Sequence, residues 1–148
     1  MADRKTYNPQ MHTTEHILNQ TMVRMFDKGR SFSAHIEKKK SKCDYHFDRD
    51  LADEEIITIE NRVNEIISQS LPVTESFITL SEAEKQFNME KLPAGAGDNI
   101  RIIKIGDYDA CPCIGEHVYN TKEIGEFKII STGFNTEKNV LRIRFKLI

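Results

Sequence analysis

Two pairs of metal-binding residue types stand near opposite ends of this chain, and a fold that uses both must bring its ends together. The first pair lies in His12-Thr13-Thr14-Glu15-His16, whose histidines fall on one turn of a helix. The second lies in Cys113-Ile114-Gly115-Glu116-His117, followed by Val118-Tyr119-Asn120-Thr121. Either pair alone is a weak signal. Together, three imidazoles and one thiol form a tetrahedral nitrogen and sulfur set of the kind Zn2+ takes. The expectation is a fold built to set the first helix against the Cys113–Thr121 stretch.

Length and charge narrow the setting. At 148 residues the chain is long enough to bury a core without disulfides. A formal charge of −2 argues against a broad electrostatic grip on nucleic acid and leaves room for a local basic patch. The three cysteines are an odd count, and the opening Met1-Ala2-Asp3-Arg4-Lys5 is polar. No apolar run approaches the roughly 20 residues of a membrane span. A reducing, cytoplasmic location is expected, with neither membrane nor DNA as partner.

Taken in order, the chain reads as helix, hairpin, helix, strand, short helix, strand and terminal hairpin. Asn8-Pro9 gives an N-cap and a first helical residue. Met11, Leu18, Met22, Met25 and Phe26 form the apolar stripe of a helix ended by Asp27-Lys28-Gly29-Arg30. Phe32, Ala34 and Ile36, then Cys43, Tyr45 and Phe47, alternate with polar residues on either side of Lys38-Lys39-Lys40-Ser41-Lys42. That pattern reads as a β-hairpin with a basic tip, a candidate phosphate contact. Asp50 or Asp53 is expected to cap a second helix with Ile56, Ile59, Val63, Ile66 and Ile67 inside, stopped by Leu71-Pro72. Val73–Leu80 reads as a strand, and Ser81-Glu82-Ala83-Glu84 as the capping box of a short helix. Leu92–Asp98 is a small-residue loop without the Lys-Ser/Thr of a phosphate-binding loop. Asn99–Ile105 is a buried strand, and residues 127–134 and 140–147 pair across Asn135–Asn139. These elements predict an α+β fold over 1–148, one domain with helices packed on an antiparallel or mixed sheet.

The expected metal ligands are His12, His16, Cys113 and His117. Helix position favours neutral imidazole at His12 and His16, because the dipole at a helix N-terminus opposes positive charge. Cys111 is read as a packing residue, and His35 and His46 as exposed. Four protein ligands make a closed structural site; three with an open position make a Lewis acid. Glu15, beside His16, is the candidate general base for an attacking water.

These residues carry a resemblance. His12-x-x-x-His16-Ile17-Leu18, Cys113-x-Gly115-x-His117-Val118 and Asn120-Thr121-x-Glu123-Ile124-Gly125 resemble the editing domain of alanyl-tRNA synthetases. They are also similar to the related threonyl-tRNA synthetase domain and the free-standing AlaX proteins. Val63–Ile67 before Leu71-Pro72-Val73, and Ile100–Gly106 before the cysteine, extend the likeness over nearly the whole chain. The resemblance implies an α+β fold and trans hydrolysis of misacylated tRNA, most simply seryl- or glycyl-tRNA(Ala), at its acceptor end. It places metal ligands at the same four residues and lines the pocket with Glu15 and Ile114. A family strand motif containing glutamine falls near Ser33, where that glutamine is absent. Thr14 is a candidate to read a serine hydroxyl, since an apolar pocket discriminates hydroxyl poorly. Glu15, Ile114 and Glu116 depart from the alanyl form of the motifs, which bears on substrate identity rather than on the metal.

Two other readings share these residues. His12-x-x-Glu15-His16 matches an inverted zinc-peptidase motif, and with a distant cysteine it resembles S-ribosylhomocysteinase. A non-catalytic zinc-stabilised module that binds tRNA or protein is the second.

Overall fold

The first helix, α1 (Pro9–Phe26), starts as its sequence dictates: Asn8 Oδ1 accepts from Met11 N at 3.1 Å, with Pro9 at the first helical position. It ends at Asp27, whose left-handed φ of 55° lets its N–H reach Val23 O. The computed structural model describes residues 8–87 and 99–148. The polar opening Met1–Lys5 and the loop Leu92–Asp98 lie outside these residues.

Two antiparallel sheets flank the helices. One has the strand order β1-β2-β7-β6, from β1 (Ser33–His35), β2 (Ser41–His46), β6 (Phe127–Asn135) and β7 (Val140–Leu147). The other has the order β3-β4-β5, from β3 (Val73–Thr79), β4 (Asn99–Ile105) and β5 (Asp109–Pro112). The remaining described helices are α2 (Asp53–Ser68) and α3 (Leu80–Gln86), with a 3-10 turn at Thr121–Glu123. The fold is α+β, and the expected single sheet resolves into these two.

Several boundaries differ from the sequence reading. β1 is three residues long and exposed throughout, because its partner β2 is covered on the other side by β7 and the sheet ends at β1. Ala34 is therefore outside the core, whereas Cys43, Tyr45 and Phe47 are buried as their alternation requires. His35 and His46 are exposed; His35 faces Lys42, and the His46 ring stacks on Phe32 at 4.1 Å. Neither Asp50 nor Asp53 caps α2. Ala52 takes the cap position, and the Glu55 carboxylate reaches back to Ala52 N at 2.8 Å. Thr79, not Ser81, caps α3, accepting from Glu82 N at 3.1 Å.

The core fills the space between α1, α2 and the inner faces of the sheets. Met11, Ile17, Leu18 and Met22 of α1 meet Ile59 and Val63 of α2, Cys43 and Tyr45 of β2, and Leu141, Ile143 and Phe145 of β7. Inside the core, Asn19 Oδ1 accepts from Tyr45 Oη at 2.7 Å and from Ser31 N at 3.1 Å.

The segment after the second metal-type pair is locked to the end of α2. Thr121, fully buried, accepts from Leu71 N at 2.9 Å and donates to Ile67 O at 3.0 Å. Asn120 caps the 3-10 turn through Lys122 N, while its amide donates to Ser70 O. Glu123 Oε2 accepts from Asn120 N, Ile124 enters the core, and Gly125 takes a φ of 99° that favours glycine. Each residue of Asn120-Thr121-x-Glu123-Ile124-Gly125 thus has a distinct job in holding the loop. Thr121→Val, nearly isosteric, strands the Leu71 N–H and should lower stability by about 1–3 kcal/mol in urea unfolding.

Candidate metal centre

Helix α1 presents His12 and His16 one turn apart on the face that meets β5 and the loop after it. A ligand atom from each of His12, His16, Cys113 and His117 lies within 4.8 Å of all the others. His12 Nε2 is 3.3 Å from Cys113 Sγ, and His16 Nε2 is 3.1 Å from His117 Nε2. Ligands at zinc bond lengths of ~2.0–2.3 Å in a tetrahedron sit about 3.3–3.8 Å apart, so these separations suit one ion. Two bare imidazole nitrogens at 3.1 Å also repel unless a proton or a cation lies between them. The His117 Nδ1 is buried with no hydrogen-bond partner among the described residues. The donor set and geometry fit a metal.

The outer nitrogens are held by the protein. His12 Nδ1 donates to Glu116 O at 3.1 Å, which leaves its Nε2 bare toward the cluster. His16 Nδ1 lies 3.5 Å from Asp109 Oδ2. Such carboxylate and carbonyl partners fix the tautomer and the plane of ligating histidines. Asp109 has no exposed side-chain surface. Arg30 donates to both its oxygens, at 2.7 and 3.2 Å, and Gln20 Nε2 donates to Oδ1 at 2.8 Å.

The electrostatics favour the ligand form at Cys113 and His117, whereas His16, expected neutral from its helix position, is pushed toward its charged form. Burial on its own would raise the Cys113 thiol, but hydrogen bonds with His117, His12 and His16 override it and pull the pKa down to about 2. Burial pushes His117 down, toward neutral imidazole. Burial would also lower His16, yet Asp109, with the sulfurs of Cys111 and Cys113, carries it well above the ordinary histidine value. Asp109, although burial opposes its charge, is held well below the usual carboxylate range by His16 and Arg30.

The loop holding Cys113 and His117 is tied at several points. Arg101 of β4 donates to Gly115 O at 2.7 Å and Cys113 O at 3.3 Å, and its Nε bonds Glu75 at 2.6 Å. Thr13 donates to Pro9 O and accepts from Val118 N at 3.1 Å. Gly115 passes directly over the His12 ring. A Cβ there would stand 2.2 Å from His12 Cε1, so any side chain must displace the imidazole.

The other sequence-derived candidates fall at different depths. Glu15 is nearly buried, with Oε1 3.7 Å from His12 Nε2, so its carboxylate borders the cluster. Thr14 is fully buried, and its hydroxyl donates to Gln10 O at 2.6 Å, retaining acceptor capacity. Ile114 is 65% exposed beside Cys113, and the Glu116 side chain is exposed. Ser33 lies exposed on β1, opposite Asp44. Cys111 is outside the four-residue group, with its sulfur on Pro112 O. The sequence reading missed Asp109, Arg30 and Arg101. Arg101 carried a signal, a cation inside an isoleucine-rich strand; Asp109 carried none, because its partners are distant in sequence.

Comparison with known proteins agrees with this geometry. Residues 100–144, which include Cys113 and His117, match the threonyl and alanyl tRNA synthetase second additional domain. The chain is 35% identical over 121 residues to the alanine–tRNA ligase of Fervidobacterium nodosum, covering 81% of this chain and 14% of the ligase. It is 32% identical over 137 residues to that of Methanopyrus kandleri, covering 90% and 15%. To the alanyl-tRNA editing protein AlaX-L of Pyrococcus horikoshii it is 34% identical over 140 residues, covering 93% of this chain and 33% of that protein. The chain thus spans 14% to 33% of the length of these relatives. It belongs to the alanyl/threonyl-tRNA synthetase editing-domain family, in which the AlaX-like proteins also fall.

Two substitutions test the centre. Asp109→Asn should weaken metal binding about 10- to 100-fold, as loss of a partner behind a ligand does, measured by chelator competition. Gly115→Ala should weaken it at least as much by moving His12, with α1 still folded by circular dichroism.

Proposed function

We propose that this chain is a zinc-dependent aminoacyl-tRNA deacylase. It hydrolyses misacylated tRNA in trans, in the cytoplasm, with seryl- and glycyl-tRNA(Ala) as substrates. The observation that carries the reading is the His12, His16, Cys113 and His117 cluster with the Glu15 carboxylate at its border, in a chain of this family.

Aminoacyl esters are already activated, so positioning and a base go far. Zinc held by three of these residues, with the fourth position open, would supply a Lewis acid for the ester carbonyl. Glu15 takes a proton from the attacking water and returns it to the leaving hydroxyl of the terminal ribose, so that acid and alcohol form with no net proton change. His12 and His16 keep their geometry through Glu116 O and Asp109 while this happens. Ile114, exposed beside Cys113, offers an apolar wall to the aminoacyl group.

The test is zinc content together with release of labelled serine, glycine and alanine from tRNA(Ala). Serine or glycine should be released and alanine retained. His16→Ala should lose zinc and activity together. Glu15→Gln should keep zinc and lose about 10²- to 10⁴-fold in kcat. Zinc bound with no deacylation of alanine, threonine or proline acceptors would refute the reading.

A further inference from the structure

The outer face of the four-stranded sheet carries a charge pattern that the metal centre does not explain. On β2, β6 and β7 the residues that alternate with the core are Lys42, Lys128, Arg142, Arg144 and Lys146, with Asp44 the one carboxylate in the described sheet. This occurs in a chain whose formal charge is −2, so composition does not produce it. Asp44 is consumed by Arg142, which donates to both its oxygens at 2.7 and 2.9 Å.

The pairing register makes the pattern costly. Lys42 stands opposite Arg144, and Lys128 opposite Lys146. Like charges directly opposite on antiparallel strands destabilise a sheet. A polyanion lying on the face removes that cost. Lys38, Lys39 and Lys40 extend the cations past the β1–β2 turn and are all exposed. At the other end of β2, the half-exposed Phe32 stacks on exposed His46. Phe32 stands two residues after Arg30, which bonds Asp109 behind His16, so the chain links this end of the strip to the support of the metal centre. From His46 to Ser41 and the turn beyond, strand geometry at ~3.3 Å per residue gives a strip about 20 Å long.

We propose that this face, from the Phe32–His46 stack to Lys38–Lys40, binds the sugar–phosphate backbone of the tRNA acceptor stem. The assignment rests on the deacylase reading for the identity of the RNA. The cations neutralise phosphates along the duplex, and the aromatic pair stands where the stem gives way to the single-stranded end directed at the centre. Contact to backbone alone predicts binding that tolerates changes of stem sequence.

The experiment measures binding of uncharged tRNA(Ala) transcript to the whole zinc-loaded chain across a salt series. The triple variant Lys42→Ala/Lys128→Ala/Lys146→Ala should bind at least about tenfold more weakly, and its log–log salt slope should shrink by about three units. Lys104→Ala, an exposed cation on the other sheet, should bind as wild type. The triple variant should melt no lower than wild type, because two like-charge pairs are relieved. Hydrolysis of a 3′-seryl-adenosine ester, which has no stem, should be unchanged in the variant, while KM for seryl-tRNA(Ala) rises. If neither ester is hydrolysed but the binding loss appears, the deacylase reading fails and the surface stands. Triple-variant binding within twofold of wild type at an unchanged slope, or wild-type chain that binds phosphatidylserine vesicles but not tRNA, overturns the surface.

Discussion

A carboxylate without exposed surface holds this molecule's centre together. Asp109 at the start of β5 binds Arg30 from the chain after α1, Gln20 from α1 itself, and the ring of His16. Burying such a charge is expensive unless it is paired and hydrogen-bonded, and removing one partner of a buried pair commonly costs about 3–5 kcal/mol. The pairing therefore fixes β5 against α1, and β5 runs directly into Cys113. Without that anchor the strand leading into the thiol loses its tie to the helix.

The loop is then held from three other directions. Arg101 grips its carbonyls from β4, Thr13 grips Val118 from α1, and Thr121 grips the end of α2. Side chain to backbone bonds dominate here because the segment has little regular pairing of its own beyond β5. A stretch without regular structure is thereby made rigid enough to present two ligands.

Much of this was legible in the sequence. Helix α1, with its Asn8-Pro9 start and apolar stripe, β2, β4, and the hairpin of β6 and β7 all follow from local periodicity and capping chemistry. The grouping of His12, His16, Cys113 and His117 was legible because histidine and cysteine at four-residue spacing are chemically specific in combination. The errors fall where tertiary context decides. Phe32 and Ala34 alternate correctly, but an edge strand has nothing to bury them against. Two neighbouring aspartates outrank alanine as caps, yet Glu55 supplied the missing bond from within α2. Asp109 was illegible because its meaning lies wholly in groups that fold onto it from elsewhere.

The loop from Cys113 to His117 alternates between inward and outward roles. Cys113, the Gly115 backbone and His117 face the helix and its histidines, while Ile114 and the Glu116 side chain stand in solvent. Glu116 serves His12 through its carbonyl, which every amino acid possesses. Positions 114 and 116 can therefore accept new side chains without disturbing the four-residue cluster. The side chains offered to solvent and the geometry of the cluster are thus separately adjustable on five consecutive residues.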